Sequence, residues 1–271
     1  MDRYVVIGNP VSHSKSPRIH SQFAEQTRQS LEYSTLFAEK DAFQEAAAKF
    51  FSEGGKGANV TVPFKEDAFN FADHLSPQAE KAGAVNTLGL DAQGQILGHN
   101  TDGIGLVTDI TVNHGGTLKD KNVLVLGAGG ATRGIIDPLI AQAPASLCIA
   151  NRTVSKAESL AALFSGHIPV SACGFSDLEG WQFDWIINAT AASLEGSVPA
   201  VPVSSVHAGT RCYDLMYASE PTPFCLWSKQ AGAEKVMDGL GMLVEQAAES
   251  FLIWRGIRPD TGAVIDALRN S

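Results

Sequence analysis

The run Asn59-Val60-Thr61-Val62-Pro63-Phe64-Lys65 sets an amide, a hydroxyl and an amine close together at a strand-to-helix junction, groups suited to a small hydroxylated substrate. Side chains alternate along a strand, so Asn59 and Thr61 are expected to share one face while Ala58, Val60 and Val62 cover the other. Pro63 fits the first turn of the helix that follows, placing Lys65 near the positive end of the helix dipole. An ammonium is disfavoured there, which suits a lysine that gives and takes protons. An exposed lysine with its stem along the surface is the bland alternative.

A second cluster lies at Val123-Leu124-Val125-Leu126-Gly127-Ala128-Gly129-Gly130-Ala131-Thr132-Arg133-Gly134. An apolar strand runs into a glycine-rich turn, and Ile135, Ile136, Leu139 and Ile140 then recur at helical spacing. Free backbone N–H groups at such a helix start can cradle a pyrophosphate. Thr132 stands where the dinucleotide fingerprint places its third glycine, so the turn is a variant of that fingerprint. The next strand, Leu147–Ala150, ends at Asn151-Arg152-Thr153, without the acid that would hold a ribose 2′-hydroxyl. Arg152, with Lys156 beyond it, offers cations to a 2′-phosphate and points to NADP over NAD. Thr153 and Ser155 are also candidate helix caps.

These groups must be carried by a chain of 271 residues, 44% hydrophobic and 18% charged, with ample core for one or two domains. A net charge of −9 argues against nucleic acid or an anionic membrane as partner, so an anionic ligand must be held locally. No leader-like run opens the sequence and no apolar span is long enough for a bilayer, so a cytoplasmic protein is expected. The four cysteines and seven histidines show no ligand spacing, and neither metal nor disulfide framework is expected.

Apolar patterning predicts strands near 4–7, 33–37, 58–62 and 85–88, with helices near 17–28, 42–52 and 64–72. Asp91-Ala92-Gln93-Gly94 and Gly98 mark a turn-rich excursion before a helix near Asp102. A second series has strands near 123–126, 147–150, 184–187, 211–215 and 235–237. The fold class is α/β with two domains. Residues 1–102 are expected to form a substrate domain, completed by 240–271, and residues 103–239 a Rossmann-like cofactor domain. The stripe Leu240, Leu243, Val244, Ala247, Ala248, Phe251 and Leu252 is expected to pack back on the first domain, leaving a cleft between the two.

The segments Gly8-Asn9-Pro10-Val11-Ser12-His13-Ser14-Lys15-Ser16-Pro17, Gly57 to Lys65, Gly83-Ala84-Val85-Asn86-Thr87 and Asn100-Thr101-Asp102-Gly103 resemble, in order, signatures of the shikimate dehydrogenases. The glycine turn at 127–131, Asn151-Arg152-Thr153, and Asp238-Gly239-Leu240-Gly241-Met242-Leu243 with Gln246 extend the resemblance over nearly the whole chain. It implies reversible reduction of 3-dehydroshikimate to shikimate with NADPH, in the aromatic amino-acid pathway. Lys65 would be the acid/base, oriented by Asp102; a helix N-cap is the alternative for Asp102.

By the same resemblance, Ser14, Ser16 and Tyr217 would hold the substrate carboxylate, and Asn59, Thr61, Asn86, Asp102 and Gln246 its ring hydroxyls. Ser16 before Pro17 is also a candidate helix cap, and Gln246 a candidate ordinary polar position on the last long helix. The cofactor would be met by Gly127, Ala128, Gly129, Gly130, Ala131, Asn151, Arg152, Thr153, Lys156, Thr190, Leu215 and Gly239. A monomer is expected, with a dimer as the alternative.

Two stretches depart from the family pattern. Ala191-Ala192-Ser193 stands where a serine and then a glycine are usual after Asn188-Ala189-Thr190, which leaves the loop shape near the nicotinamide open. Leu215 replaces a frequent methionine. Among rival enzymes, no tyrosine precedes a lysine by four residues, against short-chain dehydrogenase chemistry. A quinate/shikimate dehydrogenase of broader substrate or NAD use, and a catalytically silent shikimate/NADP sensor, remain the competing readings. No histidine, His13 and His20 included, is given a role.

Overall fold

A computed structural model describes residues 1–164, 166 and 168–270. The chain divides into two compact units, Met1–Gly105 with Leu243–Ser271, and Leu106–Met242. The first begins with β1 (Asp2–Gly8), α1 (Ser16–Thr27), β2 (Leu31–Phe37), α2 (Phe43–Ser52) and β3 (Gly55–Val60), in which β1 pairs in parallel with both β2 and β3. The apolar run of β1 is buried on both faces: Tyr4 and Val6 enter one cluster, Val5 and Ile7 another, as a strand covered on both sides requires. There follow α3 (Lys65–Phe71), β4 (His74–Leu75), α4 (Pro77–Ala82), β5 (Thr87–Leu90), β6 (Ile96–His99) and α5 (Asp102–Thr108), in a sheet ordered β2-β1-β3-β5-β6-β4.

Three local expectations change here. The excursion after residue 90 is an antiparallel β5–β6 hairpin, turned by Asp91, whose Oδ1 accepts from the N–H groups of Gln93 and Gln95 at 2.8 and 2.9 Å, and by Gly94 at φ +83°. Pro63 lies in the turn before α3, not in its first helical turn, because the helix opens only at Lys65. With β3 ending at Val60, Val62 escapes the core and is 67% exposed.

The second unit contains β7 (Asn122–Leu126), α6 (Gly130–Ile140), β8 (Ser146–Ala150), α7 (Val154–Ala162), β9 (Val170–Cys173), β10 (Trp185–Asn188), β11 (Arg211–Asp214), α8 (Pro223–Gln230) and β12 (Lys235–Met237). Every pairing is parallel and the order is β12-β11-β10-β7-β8-β9, the doubly wound arrangement with its switch point between β7 and β10. Val123 and Val125 face one core, Leu124 and Leu126 the other. The last helices are α9 (Leu240–Arg255) and α10 (Gly262–Arg269). In the first unit, α9 sets Phe251 5.8 Å from Phe23 and Trp254 4.8 Å from Tyr4, so the C-terminal stripe packs on the N-terminal sheet layer. Gly57 makes this possible, since a Cβ there would lie 2.5 Å from the Trp254 indole nitrogen. No helix among the described residues is long and apolar enough to cross a membrane.

Candidate active site

Lys65 is the first residue of α3 and Asp102 the first of α5, and the fold brings them together. Lys65 Nζ donates to Asp102 Oδ2 at 2.5 Å, with side chains 23% and 10% exposed. The other carboxylate oxygen, Oδ1, accepts from Asn86 Nδ2 at 2.8 Å. With both oxygens engaged by side chains, the helix-cap alternative for Asp102 gives way to an amine holder. Lys65 is accordingly not a solvated surface lysine.

Asn86 cannot turn its amide over. Its Oδ1 accepts from the Thr101 N–H at 2.9 Å and from the Thr87 hydroxyl at 3.0 Å, which leaves Nδ2 to face Asp102. Behind it, Asn59 Nδ2 donates to Ser250 Oγ at 2.9 Å and Thr87 Oγ1 at 3.2 Å, while Oδ1 accepts from Tyr33 OH at 2.7 Å and meets His20 Nε2 at 3.2 Å. Both ends of the Asn59 amide are occupied within the protein and only 5% of the residue is exposed, so in this structure it braces the cluster from behind.

Around this centre, Gln246 Oε1 lies 3.4 Å from both Asn86 Nδ2 and Thr101 Oγ1, which ties the α9 glutamine to the cluster. Ser14 and Ser16 sit at the start of α1, the Ser16 N–H donating to Ser14 Oγ at 3.2 Å. Ser16 does not cap the helix; Lys15 holds that position with no side-chain cap bond, because the helix already includes Ser16. Thr61, half-buried, follows β3, and its N–H donates to Ile7 O at 2.9 Å. Tyr217 belongs to the second unit and follows β11; burial raises its phenol above the ordinary value.

The glycine turn of the second unit is open where a ligand backbone would approach. A Cβ added at Gly129 or Gly130 would meet nothing within 4 Å, and both precede or open α6. Gly127 takes φ +104°, a conformation that side chains resist. Thr132 donates through Oγ1 to Gly127 O at 3.0 Å and closes the turn from within, which accounts for a threonine at the third glycine position. Beyond β8, exposed Arg152 and half-buried Asn151 line a cavity of about 440 Å³, shared with Thr190, Ala191, Ala192 and Phe175. Thr153 occupies the N-cap position of α7, but its hydroxyl makes no cap bond, and Lys156 lies exposed in the first turn. Gly239 is pressed against the Leu215 carbonyl, with which any Cβ would collide. The open turn, the neighbouring cations and the cavity fit a phosphorylated dinucleotide.

Three family models match along the chain: the shikimate dehydrogenase substrate binding domain over residues 6–88, shikimate/quinate 5-dehydrogenase over 109–198, and the shikimate 5′-dehydrogenase C-terminal domain over 239–269. A shikimate dehydrogenase (NADP(+)) of Hahella chejuensis is 55% identical over 269 residues, covering 99% of each chain. The chain belongs to the shikimate dehydrogenase family. A second such relative, from Alkalilimnicola ehrlichii, is 53% identical over 99% of this chain and 98% of its own. Among solved structures, an Ael1 enzyme from Pseudomonas putida superposes with TM-score 0.94 at 44% identity, covering 99% and 98% of the two chains. A shikimate 5-dehydrogenase from Thermus thermophilus, solved with NADP(H) and shikimate, superposes with TM-score 0.88 at 31% identity, covering 100% of this chain and 99% of that one.

For this member of the shikimate dehydrogenase family, the two departures from pattern have structural settings. Leu215 meets Gly239 through its backbone, so the exchange of its side chain leaves that contact in place. Ser193 donates to the buried Asp214 at 2.7 Å, anchoring the altered loop. Sequence reasoning missed Thr87, Thr101, Ser250, Tyr33 and His20 as members of the network behind Asn86. The signal for Thr87 and Thr101 was present in the motifs that contain them; the other three carry none.

Proposed function

We propose that this chain catalyses the reversible NADP-dependent interconversion of 3-dehydroshikimate and shikimate, with Lys65 as acid/base and Asp102 as its partner. The observation that carries this reading is the Lys65–Asp102 pair, held from behind by Asn86. NADPH, held by the second unit, would supply the hydride to the ring carbonyl carbon. The Lys65 ammonium then donates the proton that turns the carbonyl oxygen into a hydroxyl, and in the reverse direction its neutral amine takes that proton back. Asp102 keeps the ammonium oriented and stabilises its charge, and Asn86 keeps Asp102 from swinging away.

The first unit would hold the substrate through Ser14, Ser16, Thr61, Asn86 and Gln246. The second would hold the cofactor through its glycine turn, Arg152, Lys156, Thr153 and the Leu215–Gly239 contact. The Arg152 side of the cavity supports NADP over NAD, because a guanidinium pairs with a 2′-phosphate. We further propose that the protein acts as a monomer in the cytoplasm.

Reduced-nicotinamide absorbance with shikimate or quinate against NADP⁺ or NAD⁺ tests the whole reading. Signal confined to shikimate with NADP⁺ is expected. Comparable rates with quinate or NAD⁺ would make this a broader dehydrogenase, and silence in all four combinations would leave a binding role.

A further inference from the structure

The loop after β10 is fastened to a buried carboxylate. Asp214, the last residue of β11, is fully buried, and among the described residues no cation pairs with it. Its partners are neutral donors: Asn188 Nδ2 at 3.0 Å and the Met216 N–H at 3.1 Å on Oδ1, Ser193 Oγ at 2.7 Å and Thr222 Oγ1 at 2.6 Å on Oδ2. Burial raises its carboxyl above the ordinary range despite these bonds. An acid so raised binds its proton more tightly folded than unfolded, so its ionised form costs stability at neutral pH. Stability alone does not account for it.

Asn188 and Met216 donate from the carboxyl ends of β10 and β11, Ser193 from the turn that follows β10, and Thr222 from the N-cap of α8. Asn188 also accepts from the Thr190 hydroxyl at 2.7 Å, so Asp214 holds Thr190 indirectly and Ser193 directly. Thr190, Ala191, Ala192 and Glu195 line the 440 Å³ cavity that also contains Arg152. The other hydrogen bonds of the turn Ala192–Glu195 are local, among them Ala192 N–H to Thr190 Oγ1 at 3.3 Å and Ser197 N–H to Ala192 O at 2.9 Å; none of its residues is buried and Leu194 is 69% exposed.

We propose that Ser193 is a positioning residue which, through Asp214, fixes the Thr190–Glu195 wall of the Arg152 cavity so that the 2′-phosphorylated adenosine end of NADP enters a preformed site. This rests on the reading that the cavity belongs to the cofactor. A wall already ordered before binding spares the ligand the cost of ordering it, so the tether acts on affinity and leaves the proton-transfer groups untouched.

The experiment is calorimetric titration of NADP⁺, and of adenosine 2′,5′-bisphosphate as a fragment, into wild type, Ser193→Ala, Ser193→Thr and Arg152→Ala, with steady-state kinetics alongside. Ser193→Ala is expected to raise both Kd values about tenfold, equivalent to about 1.4 kcal/mol. The KM for shikimate and the kcat at saturating cofactor should stay as in wild type, and Ser193→Thr, which keeps the hydroxyl, should restore affinity. An unchanged Kd in Ser193→Ala, or a shikimate KM that rises along with it, overturns the proposal. If Arg152→Ala also leaves NADP⁺ binding unchanged, the cavity is not the cofactor's and the parent reading fails with it. If Arg152→Ala weakens binding and Ser193→Ala does not, the cavity stands and only the tether is lost.

Discussion

Asn86 and Asp102 stand on either side of one β-hairpin and meet through a 2.8 Å hydrogen bond. Because the Thr101 N–H and the Thr87 hydroxyl fix the Asn86 carbonyl oxygen, the amide can offer Asp102 only a donor. Lys65 therefore faces a carboxyl group whose orientation is set through Asn86 by the Thr101 backbone and the Thr87 hydroxyl.

Replacing the amine should remove the proton transfer without removing the pocket. Lys65→Ala is expected to lower kcat by roughly 10² to 10⁴ while changing KM far less. Asp102→Asn, which keeps shape but not charge, should lower kcat by a smaller factor. Steady-state kinetics with shikimate and NADP⁺ decide the matter; a rise in KM alone for Lys65→Ala would show that the lysine only binds.

Asn59 should behave as a brace. Asn59→Ala removes a partner from Tyr33 and His20, while Thr87 and Ser250 keep each other at 2.7 Å, and a buried group left unsatisfied costs about 1–3 kcal/mol. A loss of about 2–3 kcal/mol in denaturant unfolding is expected. Unchanged stability with a weakened shikimate KM would return Asn59 to the substrate ligands.

Acid should weaken the first unit through His20. Its ring is fully desolvated, stacked 4.2 Å from Tyr33, and its pKa is lowered by that burial from 6.5 to about 3. The groups packed on it, Asn59, Tyr33, Phe23, Phe251 and Trp254, bring no charge in this range. The unfolded chain thus binds a proton that the folded one refuses, so stability is full above pH 6.5 and falls as pH drops from 6.5 towards 3. By about pH 5 the loss is about 2 kcal/mol. Unfolding curves at about pH 7 and about pH 5 should show it in wild type, and His20→Gln should flatten the dependence; an equal slope in both would place the acid sensitivity elsewhere.

Gly239→Ala should disturb the cofactor rather than the substrate. The new methyl would drive into the Leu215 carbonyl, and such overpacking costs about 1–3 kcal/mol. The expected result is a raised Kd for NADP⁺ in titration with a lesser change in shikimate KM; the reverse order would remove Leu215 from the cofactor contacts.

The Lys65 segment and the glycine turn were legible because each is one short run of sequence beside the end of a strand. A strand ending in Gly127–Gly130 has few uses, and Lys65 follows its strand within a single turn. The network behind Asn86 was not legible, since Asn59 reaches Tyr33, Thr87 and Ser250 across 26, 28 and 191 residues. Short strands hid as well: β6 has four residues, one of them Gly98, and β9 has only Cys173 buried, so neither offers a clear alternation. Ser16 and Thr153 show the opposite error, good capping residues whose hydroxyls do not cap.

The β5–β6 hairpin also frees the chain's length from its chemistry. Thr87 pairs with His99 at the end nearest Asn86 and Asp102, while the exposed Asp91–Gly94 turn lies at the far end of the ladder. An insertion at that tip would lengthen the interval between Asn86 and Thr101 without shifting one pair of the ladder. Strand pairing, not residue count, keeps Asn86 and Asp102 in step, so a longer tip would leave the Lys65–Asp102 pair undisturbed.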